Sequence, residues 1–238
     1  ALGNDFNKIL ENMRKESYIN GDETGHRIHG ENHWLWVFLS KTMSLFLIRK
    51  GRGSDVPKEV LGTDFKGILS SDFWNAYNWI ENQQKCWAHI LRNAKALEDD
   101  YVLFKILKKL YKKAEKISEE TDSVKKEKAV SVFIKRIETL KSIPLNTKKA
   151  KAFVKTIVKN KNRLFLFVTN KDVEATNNAA ERALRPLVVM RKISYGNMSD
   201  KGARTLETNI SVIKTWDLQK KDFFVAGREC LQAFASRG

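Results

Sequence analysis

Residues 18–49 read YINGDETGHRIHGENHWLWVFLSKTMSLFLIR, and the folding of this stretch decides the architecture. Its aromatic and branched residues gather in three runs, Tyr18–Asp22, His33–Leu39 and Leu45–Arg49. Between them stand Gly30-Glu31-Asn32 and Ser40-Lys41-Thr42, residue types that favour turns. Branched and aromatic side chains fit a pleated, half-buried surface, so a three-stranded meander is expected.

Downstream the pattern changes. Ser54 and Asp55 with Pro57 open a short helix that should stop at Gly62, and Gly67–Asp72 reads as a buried strand. A helix over Trp74–Ile80 and a short strand around Lys85–Trp87 complete the order β-β-β-α-β-α-β. Strands joined by tight turns run antiparallel and strands joined through helices run parallel, which predicts a mixed five-stranded sheet flanked by helices, an α/β fold.

From Tyr101 to Arg163 the chain carries 19 Lys/Arg against 6 Asp/Glu, so most of its net charge of +16 lies in this one tract. No glycine occurs between Gly67 and Gly196, and apolar residues recur at helical spacing: Leu103, Leu107 and Leu110, then Phe133, Ile134 and Ile137, then Phe153, Val154 and Ile157. Three helices broken near Glu120 and at Pro144 are expected, forming an all-helical basic insertion. The excess of positive charge favours a polyanionic partner such as DNA. Two isolated cysteines, Cys86 and Cys230, make neither a CxxC pair nor a disulfide framework and suit a reducing, cytoplasmic setting. No apolar run is long enough to cross a membrane, and a first residue of Ala rather than Met reads as a fragment lacking its upstream part.

The segment TNNAAERALRP, residues 176–186, then poses a question of chemistry. Thr176, Asn177 and Asn178 are helix-capping residue types, so a helix should begin near Asn178, with Ala180, Ala183, Leu184 and Leu187 as its buried stripe. Pro186 should kink or end it. Glu181 sits at the edge of that stripe, where it either pairs with Arg185 four residues on or serves as a ligand. Asp22 is expected at the end of the first strand and Asp72 at the end of the fourth. Parallel neighbouring strands would bring both to one sheet edge, with Glu181 on a helix packed across it. Three converging carboxylates repel one another unless cations lie between them, and hard oxygen donors suit Mg or Mn.

GDETG (21–25), HWLWVF (33–38), RGS (52–54), LSSDFWNAYN (69–78), CWAHILR (86–92) and TNNAAERALRPLVVMRKIS (176–194) together resemble the catalytic region of DDE transposases of the insertion sequence 66 family. The likeness runs in order along nearly the whole chain. It implies a ribonuclease H-like catalytic domain over residues 1–99 and 164–217, interrupted by the helical insertion at 100–163 and followed by a C-terminal helical extension at 218–238. It also implies that Asp22, Asp72 and Glu181 are catalytic and bind two divalent metal ions, with metal-dependent cleavage at element ends and strand transfer into target DNA. Partners would be transposon ends and target DNA, bridged by a homo-oligomer assembled on the DNA, in the bacterial nucleoid. Full-length members carry upstream DNA-binding and zinc-binding segments that this stretch does not include. Two other readings share the same residues: a ribonuclease H-like nuclease without strand transfer, and an inactive DNA-binding remnant of a mobile element.

Around the triad, Arg182, Arg185, Arg191 and Lys192 are candidates for phosphate contacts, as are Lys108, Lys109, Lys112, Lys148, Lys149 and Lys155 of the basic tract. His89, just after the fifth strand, is a candidate catalytic helper. Glu23 adjoins Asp22 but should point to the opposite face of the strand and act as a structural acid. His26, His29 and His33 straddle a hairpin turn and lack a fourth ligand for zinc. Trp34, Trp36, Trp74, Trp79 and Trp87 stand at core-like spacing, as packing residues.

Overall fold

A computed structural model describes residues 2–235. Its sheet has five strands in the order β3-β2-β1-β4-β5: β1 Tyr18–Ile28, β2 Glu31–Leu39, β3 Ser44–Arg49, β4 Ile68–Ser71 and β5 Gln83–Lys85. The helices are α1 Gly3–Met13, α2 Asp55–Leu61, α3 Trp87–Lys95, α4 Val102–Ser118, α5 Ser123–Glu138, α6 Lys148–Lys159, α7 Leu166–Thr169, α8 Asn178–Ser194, α9 Asp200–Leu218 and α10 Phe223–Ala235. Two compact units divide the chain. One comprises the segments up to Leu69, Trp74–Glu81 and from Asn178 onward; the other comprises Ser70–Phe73 and Asn82–Asn177.

In the first unit β1, β2 and β3 form the expected antiparallel meander, with Asp22 opposite Val37 and Val37 opposite Phe46. The first hairpin turns at His29 and Gly30, both with positive φ (51° and 77°), rather than at 30–32. Two left-handed residues in a two-residue loop match the natural twist of the strands, which lets both run on to the turn. β1 therefore extends through Ile28, and Asp22 lies within the strand instead of at its end. Pairing with the strongly apolar β2 recruits the polar segment GDETGH, whose own β-propensity is weak.

Each face of the meander has its own core. Ile19, Trp36, Phe38, Leu45 and Leu47 face Ile9 and Met13 of α1, Val56 and Val60 of α2, and Tyr77. Ile28, Leu35, Val37, Phe46 and Ile48 pack against Ala180, Leu184 and Leu187 of α8 and Ala203 of α9. α8 does not end at Pro186 but continues to Ser194. A proline removes one donor and leaves the carbonyl four residues back without its helical partner. Here Leu184 and Leu187, buried on either side of it, anchor the helix to the sheet face.

The outer edge of β3 is covered by side chains of α9. The Ser44 N–H donates to Thr215 Oγ1 (3.0 Å), the Phe46 N–H to Ser211 Oγ (2.8 Å) and the Ile48 N–H to Glu207 Oε1 (2.5 Å). Both hydroxyls donate back to the carbonyls of the strand residues they serve, at 3.2 Å for Thr215 and 3.4 Å for Ser211. The Ile48 carbonyl receives Arg49 Nη1 instead, at 2.9 Å. A sheet edge that would otherwise offer free donors is satisfied by one helix.

In the second unit α4, α5 and α6 are the three expected helices, with Leu103, Leu107, Leu110, Phe133, Ile137, Val154 and Ile157 buried. Trp87 and Phe133 both pack on Phe165, and Trp87 Nε1 donates to the Leu164 carbonyl (2.6 Å). Asp100 fastens the start of α6, accepting from the Asn146 and Thr147 N–H groups and from Thr147 Oγ1. These bonds, the Asn146 N–H foremost, hold its carboxyl below the usual range.

The helix expected over Trp74–Ile80 shrinks to a single 3₁₀ turn, Asn75–Tyr77. Trp74 Nε1 donates to the Arg52 carbonyl (2.9 Å) and the Tyr77 hydroxyl to Glu23 Oε2 (2.6 Å), tertiary bonds that set this segment more strongly than its helical periodicity does. α1 and α9 lie outside the elements read from the sequence.

Candidate functional site

Alternation along β1 sets the chemistry of the first unit. Asp22, Thr24, His26 and Ile28 share the face that packs against α8, while Glu23 points to the other face. Asp22 is half-buried, and its Oδ1 accepts the Glu23 N–H at 3.0 Å. Glu181 lies in the first turn of α8, half-buried, beside the buried Ala180 and Leu184 that rest on this same face. The meander and α8 thus bring Asp22 and Glu181 to one side of the sheet. Acidic side chains in a first helical turn also gain from the helix dipole.

Glu23 has the structural role expected of it. Its side chain is 1% exposed, and Oε1 accepts from Arg52 Nε (3.0 Å) and Nη2 (2.7 Å). The Arg52 guanidinium lies 4.3 Å from the Trp34 ring centroid and 3.9 Å from that of Trp74, a cation held between two aromatic faces. Arg52 and Tyr77 escaped the sequence reading as a pair for Glu23 because they lie 29 and 54 residues away from it.

The three histidines form no metal-binding group among the described residues. His26 is 3% exposed, and its Nε2 lies 2.7 Å from Asn197 Oδ1. His29 occupies the turn, and His33 Nδ1 lies 3.2 Å from the Glu31 carbonyl. Burial lowers the pKa of His26 below the usual 6.5, partly opposed by the Asn197 bond and assisted by the positive charge of Arg191. A lowered pKa means that the folded state binds fewer protons than the unfolded chain, so stability is full above about 6.5 and declines as the pH falls below it. Thermal melts at stepped pH should therefore show a falling Tm from about pH 7 to about pH 5, and His26→Gln should flatten that decline. An identical pH profile in the variant would remove His26 from the account.

Asp72 directly follows β4, the sheet neighbour of β1, and is half-buried. In its own unit the surprise is Lys85, 1% exposed at the end of β5. Its Nζ donates to the Asp72 carbonyl at 2.7 Å and reaches Ser71 Oγ at 3.4 Å. A fully buried ammonium is costly unless hydrogen-bonded, so this lysine fixes the backbone at Asp72. The one signal for it in the sequence is a cation within the short polar run QQK between buried segments. Cys86 is buried, and its Sγ accepts the Asn177 N–H (3.1 Å). His89 is half-buried in the first turn of α3. Trp36 and Trp87 are fully buried, while Trp34, Trp74 and Trp79 are half-buried against the core below the meander, as packing residues.

The cationic candidates are in place for solvent. Arg182, Arg185 and Lys192 of α8 are exposed, and Arg191 is half-buried with Nη1 3.5 Å from Thr24 Oγ1. Lys108, Lys109 and Lys112 on α4 and Lys148, Lys149 and Lys155 on α6 are all exposed. Among the described residues, no helix is long and apolar enough to cross a membrane.

The sequence model described as Transposase IS66 family matches residues 1–205. A curated relative, "Uncharacterized protein y4qI" of Sinorhizobium fredii (strain NBRC 101917 / NGR234), is 25% identical over 90% of this chain. The chain spans about half of that relative's length, 47%. No solved structure matches.

Proposed function

Because this chain belongs to the IS66 transposase family, we propose that it is a DDE catalytic region, ribonuclease H-like in fold, that cuts DNA at element ends and joins them to a target. The observation that carries the reading is the placement of Asp22 and Glu181 on one side of β1, with β4, its neighbour in the sheet, leading directly into Asp72. Residues 1–99 and 164–217 form the catalytic domain in this proposal, 100–163 the basic insertion and 218–238 a helical extension; residues 1 and 236–238 lie outside the described residues.

Three carboxylates are hard oxygen donors and fit two Mg or Mn ions, which when bound would activate the attacking oxygen and stabilise the leaving 3′ oxygen. Asp22 and Glu181 of the first unit and Asp72 of the second are assigned as the ligands of those ions. Lys85 holds the backbone at Asp72 through its bond to the Asp72 carbonyl. His89 is assigned as a helper near the phosphate, and Arg182, Arg185, Arg191 and Lys192 as phosphate contacts. Neither step needs a covalent protein–DNA intermediate, so no Ser or Tyr nucleophile is assigned. A homo-oligomer bridging two DNA ends in the cytoplasm completes the proposal.

The deciding experiment supplies pre-cleaved element ends and a target duplex to the complete protein with Mg or Mn. Joined products support the transposase. Hydrolysis without joining would instead establish a nuclease, and binding without either reaction an inactive remnant.

The lysines of the insertion carry a separate expectation. Every phosphate that a lysine no longer neutralises lowers the slope of log affinity against log salt by about one unit on duplex DNA. Replacing Lys108, Lys112, Lys148 and Lys155 by Gln should flatten that slope and weaken binding to all sequences. Unchanged affinity and slope in a salt titration would show that the tract merely solvates the protein.

A further inference from the structure

The end of α8 and the segment that joins it to α9 display large apolar side chains on a backbone that cannot easily withdraw them. Tyr195 is 83% exposed, Met198 81% and Ile193 76%. Tyr195 has a left-handed backbone, with φ 60°. Gly196 follows at φ 117°, where a Cβ would stand 2.3 Å from the Arg27 carbonyl oxygen, so only glycine fits. Asn197 is then fastened to the end of β1 on several sides. Its N–H donates to the Arg27 carbonyl (2.9 Å), its carbonyl accepts the His29 N–H (3.0 Å) and its side chain meets His26 (2.7 Å). Two residues further on, Ser199 caps α9, accepting the Gly202 N–H at 3.0 Å.

Backbone strain at an exposed non-glycine residue persists only where surrounding bonds enforce it, and such places are often sites of binding. The bonds that fasten Asn197 and Ser199 fix the backbone just beyond Tyr195, whose side chain is 83% exposed. The charge around it says what is to be met. From Arg182 to Arg204 the chain carries Arg182, Arg185, Arg191, Lys192, Lys201 and Arg204 against the single acid Asp200. A second copy of the chain docking face to face would double those like charges, which disfavours a symmetric protein contact. A polyanion with flat apolar faces satisfies both features, and unstacked nucleic acid is such a ligand. Arg191 ties the segment to the proposed reaction face, since it reaches Thr24, two residues along β1 from Asp22 on the same face.

We infer that Tyr195, with Met198 and Ile193 beside it, is a stacking platform for an unpaired nucleobase of single-stranded DNA next to the proposed catalytic face. This rests on the DNA reading proposed above and adds to it a site for unpaired bases. Lys192 and Lys201 neutralise the flanking phosphates, and the tyrosine ring supplies the surface on which a base rests without sequence readout.

The test compares the parent chain with Tyr195→Ala and Tyr195→Phe on three probes: a 20-nucleotide single strand containing 2-aminopurine, the same strand in a blunt duplex, and a duplex with a single-stranded overhang. Stacking on an aromatic ring quenches 2-aminopurine, and its loss should weaken single-strand and overhang binding by on the order of tenfold. The parent and Tyr195→Phe should quench and bind alike, Tyr195→Ala should lose both, and duplex affinity should be the same in all three. Tyr195→Phe keeps the ring and the backbone conformation, so a lack of quenching by a folded Phe variant and parent overturns the proposal even if the Ala variant is unstable. Equal losses on single-stranded and duplex DNA overturn it as well, since they report charge or folding. So does concentration-dependent self-association that disappears in Tyr195→Ala, which would make the patch a protein interface. If the parent binds duplex DNA normally but Tyr195 plays no part, only the stacking site falls; if the parent binds no DNA at all, the DNA reading falls with it.

Discussion

Glu181→Gln is expected to reduce DNA cleavage by several orders of magnitude while leaving DNA binding intact or tighter. The substitution keeps the size of the side chain and most of its hydrogen-bonding capacity but removes the negative charge. The proposed metal site of three carboxylates would lose a third of its ligand charge, and a phosphate bound there would lose a source of repulsion. Electrostatic stabilisation of this kind is commonly the largest single contribution to catalysis, and losing one such group costs on the order of 100- to 1000-fold or more. Cleavage of labelled element ends, measured beside a filter-binding titration on the same DNA, separates the two quantities. Parent-like cleavage by the Gln variant would return Glu181 to the status of an ordinary helix-terminal acid.

The second large effect is on stability. Arg52→Ala should destabilise the protein by about 3–5 kcal/mol, the range for removing one partner of a buried ion pair. Glu23, with a side chain 1% exposed, would keep the Tyr77 hydroxyl but lose its counter-charge, and Trp34 and Trp74 would lose the cation between them. Combining Arg52→Ala with Glu23→Gln should restore part of the loss, because the stranded group is then neutral. Arg52→Lys should fall between parent and Ala, since an ammonium keeps the charge but neither the two-pronged bond to Oε1 nor the flat stacking surface. Denaturant midpoints at matched m-values give the comparison. A cost below about 1 kcal/mol for Arg52→Ala would place this pair with ordinary surface bridges.

Elements with a strong period or a strong stop were legible in the sequence. The meander, α2 with its Gly62 terminus, β4 and the three basic helices follow from local pattern alone. The start of α8 at Asn178 and its stripe of Ala180, Leu184 and Leu187 were equally plain. What escaped depends on tertiary partners. β1 runs past Asp22 because β2 pairs with its polar half, and Trp74–Ile80 abandons an α-helix for two long-range side-chain bonds. α8 outlasts Pro186 because the leucines on either side of it are buried on the sheet. Asp22, Asp72 and Glu181 were singled out by motif and residue type, and the structure places Asp22 and Glu181 on one side of the meander. The cations that bond at Asp72 and Glu23, Lys85 and Arg52, were not paired with them, since they lie 13 and 29 residues away in sequence.

The rungs between α9 and β3 act as a vernier between two rulers of different pitch. Four residues of helix advance about 6.0 Å, and two residues of strand about 6.6–6.8 Å, so successive rungs slip by about 0.6–0.8 Å. Thr215 and Ser211 reach the first two positions with short hydroxyls, and by the third the accumulated offset is about 1.2–1.6 Å. There the long side chain of Glu207 takes over and spans the difference. Its burial raises its own pKa, while the Ile48 N–H and Arg49 favour the charged form. The three rungs span the strand, which ends at Arg49, one residue past the last of them. The β3 edge is thereby closed to strand addition, so contacts between copies in the proposed assembly on DNA must be sought on other surfaces.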